Sequence, residues 1–125
     1  MFKTFVGLVS TLKNGQLAKK KILLYKRHKM GAAFLNILWD EGFIAGYKID
    51  QDYFRIFLKY KMNKPVIKSI NFITKPGHKI YYRLTQLWKL QPNTGVVIIS
   101  TNKGLMSLDE CKRYKLGGQP LVIIQ

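Results

Sequence analysis

Acids are what this chain is shortest of: Asp and Glu number 6 in 125 residues, against 22 Lys and Arg, for a formal charge of +16. Metal-dependent nucleases and general acid/base hydrolases need carboxylates gathered in space, and here they are dispersed as Asp40-Glu41, Asp50, Asp52 and Asp109-Glu110. Neighbouring residues on a helix point about 100° apart, so Asp40 and Glu41 read as a solvated helix end and not as a catalytic pair. Thiols and imidazoles are as scarce: one cysteine, Cys111, and two histidines, His28 and His78. That excludes an internal disulfide and leaves too few soft ligands for a metal centre. Cys111 reads as a small buried residue on the inner side of a helix. No apolar run approaches the ~18 residues of a membrane span, and no internal repeat or low-complexity tract is present.

What is there is a core and a large excess of positive charge. Hydrophobic residues make up 47% and aromatics 13%, enough for one domain, or two small ones sharing an interior. The cations run along the whole chain, so a disordered basic arm is not the reading. Self-repulsion at +16 is a cost that a polyanionic partner removes. Lys greatly outnumbers Arg, and Ile, Phe, Tyr and Asn are plentiful, which fits an AT-rich coding genome.

In chain order, Phe2, Phe5, Val6, Val9 and Leu12 repeat at helical spacing, with Asn14-Gly15 expected to stop that helix. Lys19-Lys20-Lys21, a short strand at 22–25 and Lys26-Arg27-His28-Lys29 follow, a density of cations that suits phosphate. Met30, Ala33, Phe34, Ile37 and Leu38 give a second amphipathic helix ending at Gly42. Strands are expected over 43–49, 54–60 and 66–73, with a turn at Asp50-Gln51-Asp52. The first half is thus α-β-α-β-β, an open sheet with two helices on one face. Thr74-Lys75-Pro76-Gly77 signals a turn, and 78–83 a short strand alternating cations with aromatics, suited to bases and phosphates together. One helical turn at 84–90 and a loop at 91–95 precede the final third.

That final third is the most informative. Val96 to Ile99 is branched and apolar throughout, a strand buried on both faces, and it delivers Ser100-Thr101-Asn102-Lys103-Gly104. Short hydroxyl and amide groups let a ribose or base edge come close enough for direct hydrogen bonds. Lys103 adds a charge and Gly104 permits a tight turn. Leu105-Met106 is expected to lead into a helix opened by a capping box, Ser107-Leu108-Asp109-Glu110, which assigns the last acids to architecture. Lys112, Arg113 and Lys115 suit the far end of that helix, Gly117-Gly118 ends it, and 121–124 is a closing strand paired inside a sheet.

Several stretches together resemble the family of the eighth small-subunit ribosomal protein in its bacterial and organellar form. They are Leu12 to Gln16, Asp40 to Ile44, Lys75 to Tyr81, Gly95 to Met106, and Leu116-Gly117-Gly118, in the family's order over nearly the full length. The resemblance implies an α+β fold, with an N-terminal α/β half at 1–64 and a β-rich half at 65–125. The second half would grip the minor groove of an irregular helix in the central domain of small-subunit ribosomal RNA. It carries RNA contact onto Ser100, Thr101, Lys103 and Tyr81. Asn102 stands where the family has Ser, and Gln119 where it has Glu. Ser100, Thr101, Asn102, Lys103 and Tyr81, with Gly104, Lys79, Lys75, Asn14 and Lys29, form the candidate RNA-binding set. The implied partners are small-subunit ribosomal RNA and neighbouring small-subunit ribosomal proteins, with no cofactor, small-molecule substrate or membrane.

Because the match begins essentially at Met1, the first helix is expected to be mature fold and not a transit peptide. Synthesis inside an organelle follows, the mitochondrion first, with plastid or bacterial cytoplasm as alternatives. Competing classes are another basic RNA-binding protein, a nucleic-acid-processing enzyme, which the scattered acids disfavour, and a membrane-surface protein, for which only the first helix qualifies.

Overall fold

Alternating side chains between residues 22 and 58 build an antiparallel sheet in the computed structural model, which describes residues 2–73, 80–90 and 95–125. Its strands are β1 (Ile22–Lys26), β2 (Ile44–Asp50) and β3 (Tyr53–Leu58), in the order β1-β3-β2. Helices α1 (Phe2–Leu17) and α2 (Lys29–Asp40) cover one face. Leu23, Phe54 and Ile56 point to that face and are buried, as are Phe5, Leu8, Leu12, Phe34 and Leu38 on the helices. Phe5 meets Phe34 edge-on at 5.0 Å, and the Tyr25 hydroxyl donates to the Thr4 carbonyl at 2.8 Å. The α+β class and the α-β-α-β-β order expected of this half are what is found.

The end of α1 departs from expectation. Asn14-Gly15 does not stop it; the helix continues to Leu17, and Lys19 takes the left-handed conformation at φ 55°. Lys20 N–H donates to the Gly15 carbonyl at 3.0 Å and Lys19 N–H to that of Gln16 at 3.1 Å, the paired bonds of a left-handed helix stop. Gly15 serves packing instead, since a Cβ there would lie 2.7 Å from Leu23. The second helix does close at Gly42, where Phe43 N–H reaches the Leu38 carbonyl at 2.8 Å.

Contacts divide the chain into Met1–Ser69 and Ile70–Gln125. The first unit also carries a hairpin, β4 (Tyr60–Lys61) and β5 (Lys64–Pro65), turned by Met62 and Asn63 at φ 54° and 64°. The strand expected over 66–73 is therefore shorter: only β6 (Ile70–Phe72) pairs in the second unit. There β6, β7 (Val96–Thr101), β8 (Gly104–Ser107) and β9 (Gln119–Ile124) form an antiparallel sheet in the order β6-β9-β7-β8. Val97 and Ile99 on β7 pack with Leu87 of α3 (Leu84–Leu87) and with Leu108 and Cys111 of α4 (Leu108–Tyr114). A short 3-10 turn, Trp88–Leu90, follows α3. The turn at 74–77 and the loop at 91–94 lie outside the described residues.

Candidate nucleic-acid interface

The polar stretch after Val96–Ile99 is a hairpin turn, and this corrects the expectation that Leu105-Met106 runs straight into a helix. Both lie in β8, with Ser100 opposite Leu105 and Thr101 opposite Gly104. A returning strand pairs the amides that a lead-in loop would leave open. Thr101 closes the turn: its hydroxyl accepts from the Lys103 N–H at 3.1 Å and donates to the Gly104 carbonyl at 2.8 Å. Gly104 sits at φ 109°, a conformation L side chains avoid, with nothing within 4 Å of where a Cβ would stand. Asn102, Lys103 and Gly104 are exposed, and Ser100 and Thr101 half-buried.

Beneath this tip lies a floor of two glycines. A Cβ on Gly118 would be 2.4 Å from the Ser100 carbonyl oxygen and 2.8 Å from Ile99 Cγ2. One on Gly117 would be 2.6 Å from the Tyr82 carbonyl oxygen and 2.9 Å from the Tyr81 hydroxyl. Gly118 and Tyr82 exchange both backbone hydrogen bonds, at 2.8 and 2.9 Å. Tyr81 therefore leans over Gly117 while remaining 69% exposed. Between β7 and β9 the register shifts at Ile98/Ile99, opposite Pro120; such a bulge accommodates a proline and sharpens the local twist next to the tip.

Short donors and acceptors, one lysine and one open aromatic face converge here. Such a set can hydrogen-bond ribose hydroxyls and base edges, stack on an unpaired base and neutralise a phosphate. A family model described as Ribosomal protein S8 matches residues 4–124. The chain belongs to the ribosomal protein S8 family. Among its relatives, the small ribosomal subunit protein uS8 of Baumannia cicadellinicola is 37% identical over 117 residues, 90% of this chain and 89% of that one. The protein of the same name from Wigglesworthia glossinidia brevipalpis is 31% identical over 121 residues, 94% and 93% of the two chains.

Within this S8-family chain the expected contact residues are distributed unevenly. The structure brings Ser100, Thr101, Asn102, Lys103 and Gly104 onto one turn, with Tyr81 on the same glycine floor. Asn14 and Lys29 are exposed on α1 and at the first position of α2, both in the other unit. Lys75 and Lys79 lie outside the described residues. Of the strand expected at 78–83, residues 78 and 79 are likewise outside, and Tyr82 contributes a single bridge.

Gly117 and Gly118 are the positions beside the tip whose part sequence reasoning misplaced. They read as a helix stop, but Lys115 is the left-handed cap at φ 56°, and the glycines are needed for close approach. The capping box is half made: Glu110 N–H donates to Ser107 Oγ at 3.3 Å, while the Glu110 carboxylate takes the Ser107 hydroxyl at 3.5 Å instead of its amide. Lys112 lays its ammonium over the Trp88 ring, 4.4 Å from the centroid. Burial, and then the charge of Glu110, push the Cys111 thiol up to about 11. Among the described residues, no three His, Cys, Asp or Glu are grouped to hold a metal ion, and no helix is long and apolar enough to cross a membrane.

Proposed function

We propose that this chain is a structural, non-catalytic component of the small ribosomal subunit that binds its ribosomal RNA directly through the β7–β8 tip. Family membership across residues 4–124 supports the place in the subunit. The observation that carries the RNA contact is the turn Ser100–Gly104, closed by Thr101 and set beside Tyr81 on Gly117-Gly118. In this reading the half from residue 65 onward recognises the shaped minor groove of a central-domain RNA helix, and Lys103 meets a phosphate. The cations from Lys19 to Lys29, and those of α4, add sequence-independent phosphate contacts. The assembled subunit, and with it translation, depends on that grip.

For compartment we carry forward the mitochondrion, on the Lys- and Ile-rich composition, with bacterial cytoplasm or plastid as alternatives; the relatives described above are bacterial. Locating the gene on an organellar or a bacterial chromosome decides between them.

The test compares Lys103→Glu with Lys48→Glu in equilibrium binding to the central-domain fragment of small-subunit RNA. Lys103→Glu weakens binding by more than about ten-fold, ~1.4 kcal/mol, and lowers the salt slope by roughly one phosphate contact. Lys48→Glu changes little. Equal losses would mean that net charge and not the tip drives binding.

A further inference from the structure

The second face of the N-terminal sheet leaves large apolar side chains exposed. Strand alternation and register set three cross-strand rows there: Ile22, Phe57 and Gly46; Leu24, Arg55 and Lys48; Lys26, Tyr53 and Asp50. Ile22 is 49% exposed, Leu24 61% and Tyr53 54%, with Phe57 half-buried beside them. A contiguous apolar strip on an otherwise strongly charged protein marks a contact surface. The charges around it are not symmetric. Asp50 is the one acid in these rows and is already paired with Arg55 at 3.0 Å, whereas Lys26 and Lys48 have no ion-pair partner among the described residues.

We propose that this face docks an apolar segment of a neighbouring protein whose flanking carboxylate meets Lys48. Two aliphatic side chains at its centre gain from burial against other apolar groups, and an apolar centre with a charged rim is the usual anatomy of a protein interface. RNA fits less well. Ile22 and Leu24 offer nothing to a phosphate or a base edge, and the central cation, Arg55, is engaged by Asp50. A second copy of this chain is disfavoured because each brings +16 and the same unpaired lysines to the contact. The proposal rests on the place of the chain in a ribosomal particle and is independent of the β7–β8 tip.

The experiment replaces Leu24 with a photoreactive benzoylphenylalanine in the full-length protein. The protein is incorporated into small subunits, and the particles are purified, irradiated and digested with nuclease and protease. The expected product is a peptide of another protein with Asp or Glu beside apolar residues. Adding Lys48→Glu lowers its yield at least about five-fold and leaves the RNA footprint unchanged. A crosslink to RNA, to a second copy of this chain or to nothing overturns the proposal. So does a protein crosslink whose peptide lacks acids or whose yield ignores the charge reversal. Failure of the protein to enter particles at all refutes the ribosomal reading itself, and the docking proposal with it.

Discussion

Gly118→Ala tests whether close packing beneath the tip is what holds the interface in shape. The added methyl meets two neighbours at once, the Ser100 carbonyl oxygen at 2.4 Å and Ile99 Cγ2 at 2.8 Å. One is backbone in a strand and the other belongs to a fully buried side chain, so neither swings aside. Overpacking of this kind costs about 1–3 kcal/mol. The displaced strand end also loses the paired bonds between Gly118 and Tyr82, each with a net value of about 0.5–1.5 kcal/mol. The combined destabilisation is about 2–6 kcal/mol. At ~2.1 cal/mol/K per residue, 1 kcal/mol is ~4 °C for a chain of this length, so thermal unfolding followed by circular dichroism shifts down by ~8 °C or more. Affinity for the RNA fragment falls with it, because Tyr81 and Ser100 share that floor. Gly104→Ala is the contrast: open space surrounds it, leaving only the strain of φ 109°, about 1–3 kcal/mol and local. If Gly118→Ala melts within ~2 °C of the parent and binds RNA equally well, close packing does not fix the tip.

Met62→Asn stabilises the protein by about 0.5–1 kcal/mol in urea titration, because Met62 holds φ 54° at an exposed two-residue turn where Asn is favoured. Ser107→Ala costs about 1 kcal/mol by removing the oxygen that accepts from Glu110 N–H, with amide exchange accelerating in the first turn of α4. Cys111 is fully buried, so thiol reagents modify it only at the rate of unfolding. Its folded pKa near 11 exceeds the ordinary 9.0, so between these values the unfolded state holds fewer protons and stability falls as pH rises. Urea midpoints measured across that window drop more steeply for the parent than for Cys111→Val.

Strong periodicity made the first unit legible from the sequence. Phe5, Val9, Leu12, Phe34, Ile37 and Leu38 repeat every three or four residues, and each is buried where the pattern puts it. Where the reading failed, a tertiary partner outweighed a local signal. Asn14-Gly15 has the composition of a helix stop, yet Leu23 needs the space beside Gly15, and the turn passes to Lys19. Gly117-Gly118 follows a helix and reads as its cap, but the demand comes from Tyr81, Tyr82 and Ser100, which are distant in sequence. Ser100–Gly104 was legible as an exposed polar tip but not as a hairpin turn. Leu105 and Met106 look equally suited to strand or helix, and pairing with β7 decided between them. The open sheet face was visible only as alternation; what covers each side depends on where α1 and α2 land.

Thr101 spends its hydroxyl inside its own turn, and that has a thermodynamic corollary. The conformational entropy of the apex is surrendered when the protein folds and not when a ligand docks, so little of the association free energy goes into rigidifying the fingertip. Association then proceeds without a disorder-to-order step on the protein side, and its heat-capacity change reflects desolvation of the contact alone.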